Sequence, residues 1–355
     1  MKHLLCLFLG ALLCLLPAGC GYQELQDRLL IHGIGVDLGE DGGFSVTVRS
    51  AGSQGEECFQ TQGESVLEAL TSLSLSTGRD AFYAHNYLVV FGWECAQAGL
   101  DRCLDFFVRY YNARPAVQMF LARGTAEEVL SFAPEGELLP MAQLQQVGES
   151  GRFNGQALEV EILDFVNGVK RPGSSPLLPV LSLTQSGPAV TGAAYFRDYA
   201  LQGEWDLSQS RGYLAAKGEL DQGEAVVPDG GGGLVTLSLS GQRQKIRARW
   251  EEGELPVFTL EVQVRGDISA LSGGRDRLED SLYPSLERAA AAQLEEEISS
   301  ALEQAVIDEG CDVFGFGNLL WQRYPERWRQ EGDQWPTLMG RCRYQVEVTL
   351  SVLRL

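Results

Sequence analysis

Hydrophobic and polar positions follow strand-like or helix-like spacing over most of the chain, and the spacing changes from segment to segment. Apolar residues run from Ile31 into a Gly-rich turn at 37–43, and apolar and polar residues then alternate from Phe44 onward. Two short strands around such a turn predict a β-hairpin. Apolar residues at helical spacing over 64–75 predict a helix that ends at Gly78.

The predicted strands and helices continue to alternate as far as residue 130. The pattern predicts a buried strand at 87–91, a helix over 99–111 and a strand at 116–122. The expected inward residues of that helix are Leu100, Cys103, Leu104, Phe107 and Val108. Thr125 and Glu128 have the spacing of a capping box, which predicts the start of a short helix. This alternation favours a mixed α/β domain.

The second half of the chain is dominated by strand-like alternation after a Pro/Gly/Ser-rich break at 171–176. Strands are predicted at 193–196, 235–240, 245–250 and 258–265. A long helix is predicted from Asp280 to Glu309, because an apolar stripe recurs every four residues there. The stripe consists of Leu282, Leu286, Ala290, Leu294, Ile298, Leu302 and Val306. Residues 344–352 alternate to the end, as is typical of a half-buried antiparallel strand.

The expected fold class is α+β or mixed α/β in three consecutive domains, with mixed or antiparallel sheets packed by helices. The long amphipathic helix and the closing antiparallel strand belong to the last domain. The predicted division is a signal peptide at 1–19, an N-terminal α/β domain at 20–175, a β-rich middle domain at 185–268 and a C-terminal domain at 275–355.

The first twenty residues have the pattern of an export signal. Lys2 and His3 precede an apolar run from Leu4 to Leu16, which is too short to cross a bilayer. Ala18-Gly19-Cys20 resembles a bacterial lipobox, with Pro17 where that motif usually has leucine. We therefore expect a lipid on Cys20 that tethers the exported chain to a membrane. An ordinary cleaved signal with an incidental cysteine and an uncleaved anchor are the alternatives.

The charge of the chain limits the partners that it can have. With 28 basic and 48 acidic residues the formal net charge is −20, and removal of the leader with Lys2 makes it −21. Such a charge argues against nucleic-acid binding and against attachment to anionic lipid through a basic patch. A covalent lipid is then the expected membrane tether.

The sequence lacks the common catalytic and metal-binding motifs, so no enzyme activity, metal or cofactor is expected. The sequence has no Gly-x-Ser-x-Gly elbow and no His-Glu-x-x-His pair. His32 and His85 each stand alone. Carboxylate pairs for glycoside hydrolysis stay open, because such partners need not be close in sequence. Five cysteines follow Cys20, either as buried free thiols or with Cys95–Cys103 or Cys311–Cys342 paired.

Several short motifs share one order along the chain, and together they resemble one protein family. They are Cys20-Gly-Tyr-Gln-Glu-Leu25, Ile34-Gly-Val-Asp37, Ser76-Thr-Gly-Arg79, His85, Leu104-Asp-Phe106 with Arg109, Gly192-Ala-Ala-Tyr-Phe196, Asp312-Val-Phe-Gly-Phe-Gly317, Tyr324-Pro325, Trp328 and Trp335. Because these motifs occur in the same order, the chain resembles the Ger(x)C lipoprotein family, the C subunit of bacterial spore germinant receptors. The family usually has a tryptophan directly after the lipidated cysteine, which this chain lacks.

The resemblance implies a three-domain lipoprotein on the outer surface of the spore inner membrane. It implies two membrane partners, a transporter-like B subunit and a membrane-spanning A subunit. It supplies no catalytic residue, and only Cys20 transfers as a functional position, the site of lipid attachment.

Four polar residues in the first-domain motif, Arg79, His85, Asp105 and Arg109, have two alternative roles. They are either buried and hydrogen-bonded or available for partner contact. Burial of either arginine predicts a carboxylate partner such as Asp80 or Asp105, because a buried unpaired charge is too costly.

The expected function is therefore a non-catalytic, lipid-anchored subunit of a nutrient germinant receptor. The alternative is a solute-binding lipoprotein, which predicts a concave pocket between domains with a few convergent polar groups. A third class, an exported envelope hydrolase, predicts carboxylates or a nucleophile gathered in a cleft.

Overall fold

The computed structural model describes residues 28–53, 55–110, 117–229, 232–272 and 278–354. The described strands are β1 Arg28–Leu38, β2 Phe44–Gly52, β3 Gly55–Gly63, β4 Asp80–Phe82, β5 Leu88–Phe91, β6 Gln118–Ala122, β7 Leu177–Thr184, β8 Gly187–Arg197, β9 Ala200–Trp205, β10 Gly223–Pro228, β11 Leu234–Arg249, β12 Val257–Leu271 and β13 Arg343–Val352. The described α-helices are α1 Val66–Thr77, α2 Trp93–Ala98, α3 Asp101–Arg109, α4 Ala126–Leu130, α5 Met141–Gly148, α6 Gly151–Asn154, α7 Ile162–Lys170, α8 Leu207–Lys217, α9 Tyr283–Leu302, α10 Phe316–Arg323, α11 Pro325–Glu331 and α12 Trp335–Leu338.

A mixed sheet of nine strands organises the first part of the chain, which we call the first lobe (described residues from 28 to 205). Its order is β3-β2-β1-β5-β6-β7-β8-β9, and β4 pairs with the start of β1. The strands β1, β5, β6 and β7 run parallel, and antiparallel hairpins extend the sheet on both sides. The predicted hairpin around 37–43 is confirmed as β1 and β2.

Helices cover both faces of this sheet. Leu70 of α1, Leu104 of α3 and Phe165 of α7 lie in the core on one face, and Leu130 and Met141 lie in the core on the other. Every residue of β5 and β6 is buried in consequence. Such strands have continuous apolar sequences because neither face contacts water.

The predicted helix over 99–111 is confirmed as α3, Asp101–Arg109, and a separate short helix, α2, precedes it and ends at Gly99. Gly99 has φ of 107°, a value that a helix does not accommodate. The predicted inward residue Val108 is 49% exposed, and Phe106 is buried in its place. The other predicted inward residues, Leu100, Cys103, Leu104 and Phe107, are buried.

A sheet of four strands organises the second lobe (described residues from 207 to 354). Its order is β10-β11-β12-β13, with α8 and α9 packed on one face. The predicted stripe of the long helix is confirmed, with Leu286, Ala290 and Leu294 among its buried residues. The α8 and α9 backbones cross closely, since a Cβ on Gly212 would lie 2.5 Å from the carbonyl carbon of Glu297.

The fold class is confirmed as mixed α+β, but the closing strand is not antiparallel. β13 pairs with β12 in parallel, from Val257 opposite Arg343 to Gly266 opposite Val352. The connection between them contains α9 and the helices that follow it. Because this long connection returns the chain to the edge of the sheet at which β12 begins, β13 runs parallel to β12. The alternation of apolar and polar residues carries no information about strand direction.

The two sheets do not coincide with the predicted domain boundaries. β8 and β9, within the segment assigned to a middle domain, complete the first sheet through antiparallel pairing with β7. β12, from the same segment, and β13, from the expected C-terminal domain, lie side by side in the second sheet. The predicted signal peptide at 1–19 lies outside the described residues. The break at 171–176 is a loop of the first lobe, because strands on both sides of it belong to the same sheet.

Candidate functional site

The start of β1 is the described part of the molecule that lies nearest to Cys20 along the chain. Cys20 is outside the described residues and precedes Arg28 by eight positions. An extended chain spans at most about 3.6 Å per residue, so the Cα atoms of Cys20 and Arg28 are within about 29 Å of each other. We call the start of β1, Arg79, strand β4 and the loop 83–87 the tether edge, after the lipid that the sequence predicts on Cys20.

Aromatic and charged side chains pack against one another along the tether edge. Arg28 lies opposite Asp80 on the parallel strand β4. The Cζ atom of Arg28 lies 5.2 Å from the ring centre of Phe82, and the rings of Phe82 and His85 are 6.0 Å apart. The side chain of His85 is exposed. The tether edge therefore presents His85 to solvent beside an arginine and an aromatic ring.

Arg79 also lies at the tether edge, directly before β4. Its Nη2 atom is 3.0 Å from Oε2 of Glu57 on β3, and both side chains are partly exposed. The carboxylate partner of Arg79 is thus Glu57, and because Arg79 is partly exposed the condition for the predicted partners, burial of the arginine, is not met. Because solvent screens this ion pair, it stabilises the fold by roughly 1 kcal/mol at most.

Asp105 and Arg109 form an exposed ion pair one turn apart on α3. They line a groove of about 360 Å³ whose other wall includes Lys170 and Tyr199. The structure therefore separates the four motif residues into two sites, Arg79 and His85 at the tether edge and Asp105 with Arg109 beside α7. All four are accessible to solvent, wholly or in part.

A buried ion pair inside the first lobe was not anticipated from the sequence. Arg49 on β2 is fully buried and places Nη2 2.7 Å from Oε2 of Glu56 on β3. Arg49 also donates to the carbonyl oxygens of Leu130 and Leu139. Arg49 lies on the polar side of an alternating strand, a pattern that usually indicates solvent, and only the helices on the second face of the sheet bury it.

The ionisation of this pair is maintained against the cost of burial. Burial lowers the pKa of Arg49, and the charge of Glu56 opposes that change. Burial alone would raise the pKa of Glu56, but hydrogen bonds from His32 and the Met141 backbone, with the charge of Arg49, hold it below its ordinary value. These hydrogen bonds therefore connect strands β1, β2 and β3 to the loop before α5 and to its first residue.

Asp312, the first residue of the Asp312–Gly317 motif, is a buried hydrogen-bond acceptor. Its Oδ1 accepts from the backbone N–H groups of Gly315 and Phe316 at 2.8 and 2.9 Å. Its Oδ2 accepts from the Gly317 backbone at 2.6 Å and from Nε1 of Trp335 at 3.0 Å. Burial raises the pKa of Asp312 to about 6, and the four hydrogen bonds oppose this rise.

The same motif joins the two lobes. The backbone N–H of Ser175 donates to the Asp312 carbonyl oxygen at 2.9 Å, and that of Asn318 donates to the Gly173 carbonyl oxygen at 3.1 Å. Gly173 and Ser175 belong to the loop between α7 and β7 of the first lobe. The Asp312–Gly317 motif therefore has a structural role at this junction.

A polar cleft of about 410 Å³ lies beside this junction, between α7 of the first lobe and α8 of the second. Its walls include Asp164, Arg171, Tyr213, Lys217 and Glu219. Burial raises the pKa of Glu219, and the charge of Lys217 opposes the change. The cleft is a described concave surface between the lobes with several polar groups, as expected of the pocket of a solute-binding protein.

The five described cysteines are free thiols. The Sγ atoms of Cys95 and Cys103 are 3.6 Å apart, and contact with Cys103 together with burial raises the pKa of Cys95. Within the described ranges, no three His, Cys, Asp or Glu side chains are placed to hold a metal ion.

Comparison with known families matches the chain in two consecutive segments. Residues 21–183 match the family described as "Spore germination protein N-terminal domain". Residues 191–355 match the family described as "Spore germination B3/ GerAC like, C-terminal". The second segment begins within β8, so the last two strands of the first sheet belong to the C-terminal family segment.

Three curated proteins of Bacillus subtilis (strain 168) are similar over nearly their whole lengths. Spore germination protein KC is 23% identical over 371 residues, which cover 94% of this chain and 91% of that protein. Spore germination protein A3 is 21% identical, with 94% and 92% covered, and spore germination protein B3 is 18% identical, with 96% and 95% covered. The crystal structure of the GerBC protein shares the fold, with a TM-score of 0.62, 16% identity, and 91% of this chain and 97% of that chain covered.

Proposed function

The chain belongs to the GerAC-like family of spore germination proteins, and from that membership we propose that it is the C subunit of a nutrient germinant receptor. The observation that carries the proposal is the match of both family segments, 21–183 and 191–355, which leaves little of the chain outside them. The alignments with the curated relatives also include more than nine-tenths of each relative. The chain therefore contains both halves of a spore germination protein of this family.

In this proposal the subunit acts through assembly, without catalysis. The buried charged groups described above, Arg49, Glu56 and Asp312, each hold separate segments together. These contacts support a scaffold whose surfaces meet the A and B subunits. The exposed residues of the family motif, Arg79 and His85 among them, are candidates for such contacts.

The proposed location is the outer surface of the spore inner membrane, with a lipid on Cys20 as the tether. No helix in the described part of the chain is long and apolar enough to span a membrane. The limit of about 29 Å between Cys20 and Arg28 supports a position of the tether edge close to the bilayer. A tether raises the effective concentration of the subunit beside its membrane partners, so that weak contacts suffice for assembly.

Deletion of the gene, with the genes for the A and B subunits left intact, tests the proposed function. We expect the deletion to abolish germination in response to one class of nutrient. Germination by a trigger that bypasses the receptors should be unchanged. Loss of both responses would instead indicate a general role in spore assembly, and a normal response to every nutrient tested would contradict the proposal.

Substitution of the cysteine tests the tether separately. Cys20→Ala, expressed at the native level, should impair the nutrient response while the folded domain keeps its stability. Cys58→Ala is a matched control, because Cys58 lies on β3 far along the chain from the leader. An intact nutrient response in the Cys20→Ala strain would contradict the proposed tether.

The cleft between α7 and α8 favours a second candidate function, the capture of a small polar solute. Its polar walls and its position between two lobes are typical of ligand sites. This candidate predicts that a nutrient amino acid or sugar raises the melting temperature of the isolated protein, since a ligand that binds only the folded state stabilises it. Arg171→Ala should abolish the shift, and absence of a shift with any nutrient would contradict this candidate.

A further inference from the structure

One face of the second sheet concentrates positive charge, although the chain as a whole is strongly acidic. In the last part of β11, from residue 243 to 249, every second residue is exposed and basic, while Gln244 is exposed, Ile246 is half-buried and Ala248 is buried between them. The basic residues are Arg243, Lys245, Arg247 and Arg249. Successive residues on one side of a strand are about 6.7 Å apart, so the four charges extend over about 20 Å. The spacing of these basic residues is visible in the sequence, but the formal net charge of −20 does not indicate a local basic surface.

The neighbouring strands continue this surface. Arg265 on β12 and Arg343 on β13 are exposed on the same side, and the acidic residues there are Glu261 and Glu347. We call this surface the basic face: the outward residues of 243–249, 257–265 and 343–351. It has six basic and two acidic side chains, a net charge of +4, whereas the whole chain has −20. Asp267 and Glu224 lie beyond one end of this face, and the exposed Glu251, Glu252 and Glu254, in the turn between β11 and β12, lie beyond the other.

The charges on the basic face are accessible. Arg247 forms an ion pair with Glu261 at 2.8 Å, and Arg249 lies 3.5 Å from Glu251, but both arginines remain more than half exposed. The helices α8 and α9 pack on the opposite side of the sheet, so described helices do not cover this face. An anionic surface could therefore approach the basic face without displacing a packed element.

From this geometry we propose that the basic face binds the surface of a bilayer that contains anionic phospholipid and thereby sets the orientation of the tethered subunit. The inference rests on the lipid tether of the proposed function, which keeps the face near the membrane. Charges separated by more than about 8 Å are largely screened at physiological ionic strength. The local charge of +4 therefore decides the interaction at contact, and the acidic remainder of the molecule faces away from the bilayer.

The arrangement of the charges favours a membrane over an acidic protein. The six cations are spread over three adjacent strands of an open face and do not converge on one pocket. A surface of many equivalent phosphate groups complements such an array, and each lysine or arginine close to an anionic leaflet adds to the attraction. The proposal differs from the expectation based on net charge, which argued against a basic patch for anionic lipid.

The scarcity of lysine provides a direct test in the intact protein. After the leader the sequence has only Lys170, Lys217 and Lys245, and of these Lys245 lies on the basic face while Lys170 is exposed on α7. The lipidated protein would be reconstituted into vesicles of phosphatidylcholine alone or with about 30 mol% phosphatidylglycerol. Reductive methylation, read by mass spectrometry, gives the ratio of the Lys245 and Lys170 modification rates.

We expect the ratio to fall about fivefold on the anionic vesicles and to recover at about 0.5 M salt, where screening is nearly complete. The variant R243Q/R247Q/R249Q keeps Lys245 and should abolish the protection. The control R102Q/R152Q/R329Q removes the same charge from exposed residues of α3, α6 and α11 and should retain it.

Each outcome distinguishes the inference from the proposed function. An unchanged ratio, with the protein still attached to both kinds of vesicle, would overturn the orientation by the basic face and leave the tether intact. Release of the protein from both kinds of vesicle would refute the tether and this inference with it. Protection in spore membranes but not in anionic vesicles would assign the face to an acidic protein partner and overturn the proposal.

Discussion

The two lobes bury their sheets to different extents, and this difference determines whether charged residues on the strands of each sheet are buried or exposed. Helices cover both faces of the first sheet, and its central strands β5 and β6 are buried at every residue. The second sheet is covered on one face, and the outward residues of β13 are exposed. A charge within a doubly covered sheet needs a partner, as Arg49 has in Glu56. A singly covered sheet can collect charges on its open side, where a partner can reach them.

Removal of the buried charge of the first lobe is expected to have the largest effect on stability. Arg49→Met should lower the free energy of unfolding by about 3–5 kcal/mol, because the half-buried Glu56 would lose its cation and the carbonyl oxygens of Leu130 and Leu139 would lose their donor. Urea denaturation followed by circular dichroism measures the loss. The double variant R49M/E56Q should recover part of it.

The matched control belongs to the open face of the second lobe. Arg247→Met removes an exposed ion pair with Glu261 and should cost less than about 1 kcal/mol. Similar losses for Arg49→Met and Arg247→Met would mean that coverage of the sheet does not govern the cost of removing a charge.

The junction between the lobes is the next most sensitive place. Asp312→Ala leaves three backbone N–H groups and the Trp335 indole without their acceptor, so we expect a loss of about 3 kcal/mol. Asp333→Ala, an exposed residue nearby, is the control and should change stability little. If the junction couples the lobes, unfolding of Asp312→Ala should show two transitions where the wild type shows one. Equal stabilities of the two variants would contradict this role.

Asp312 at the junction should also make the stability of the protein depend on pH. Burial raises the pKa of Asp312 to about 6 from 3.8, so the folded chain holds this proton more tightly than the unfolded chain. Its contribution is therefore fully present below about pH 4 and is lost as pH rises through 6. The stability of the wild type relative to Asp312→Asn should fall by on the order of 3 kcal/mol from pH 4 to 7. A relative stability that rises with pH would show that the hydrogen bonds lower the pKa of Asp312 by more than burial raises it.

The smallest effect on stability is expected at the tether edge. Arg79→Ala removes a partly exposed ion pair with Glu57 and should cost less than about 1 kcal/mol. If the edge contacts a partner, R79A/H85A should nevertheless reduce the nutrient response. The pair D105A/R109A, beside α7, serves as the comparison site, and Arg152→Ala is the control for loss of an exposed charge. A normal response in R79A/H85A would remove the tether edge from the partner contacts.

The sequence predicted elements whose cause is local. The hairpin of β1 and β2 follows from a Gly-rich turn between alternating segments. Helix α1 ends at Gly78, and the capping box of Thr125 and Glu128 starts α4, as their spacing predicts. The stripe on α9 follows from helical periodicity alone. Each of these features depends on residues that are close in sequence.

The candidate sites were only partly predictable. The sequence identified Arg79, His85, Asp105 and Arg109 as a group, but the fold places them at two separate sites. Arg49 gave no signal, because a polar residue in an alternating strand usually faces water. The basic face was visible as alternation from Arg243 to Arg249, but its accessibility depends on which side of the sheet the helices cover.

By itself the sequence determined the periodicity of the helices and strands, their ends at caps and turns, and the order of motifs that marks the family. Only the tertiary structure decided that β8 and β9 complete the first sheet, that β13 runs parallel to β12, and that Arg49 is buried. The physical reason is that periodicity records which side of an element is apolar, whereas its neighbour, its direction and the cover over its polar side arise from contacts between residues far apart in the chain.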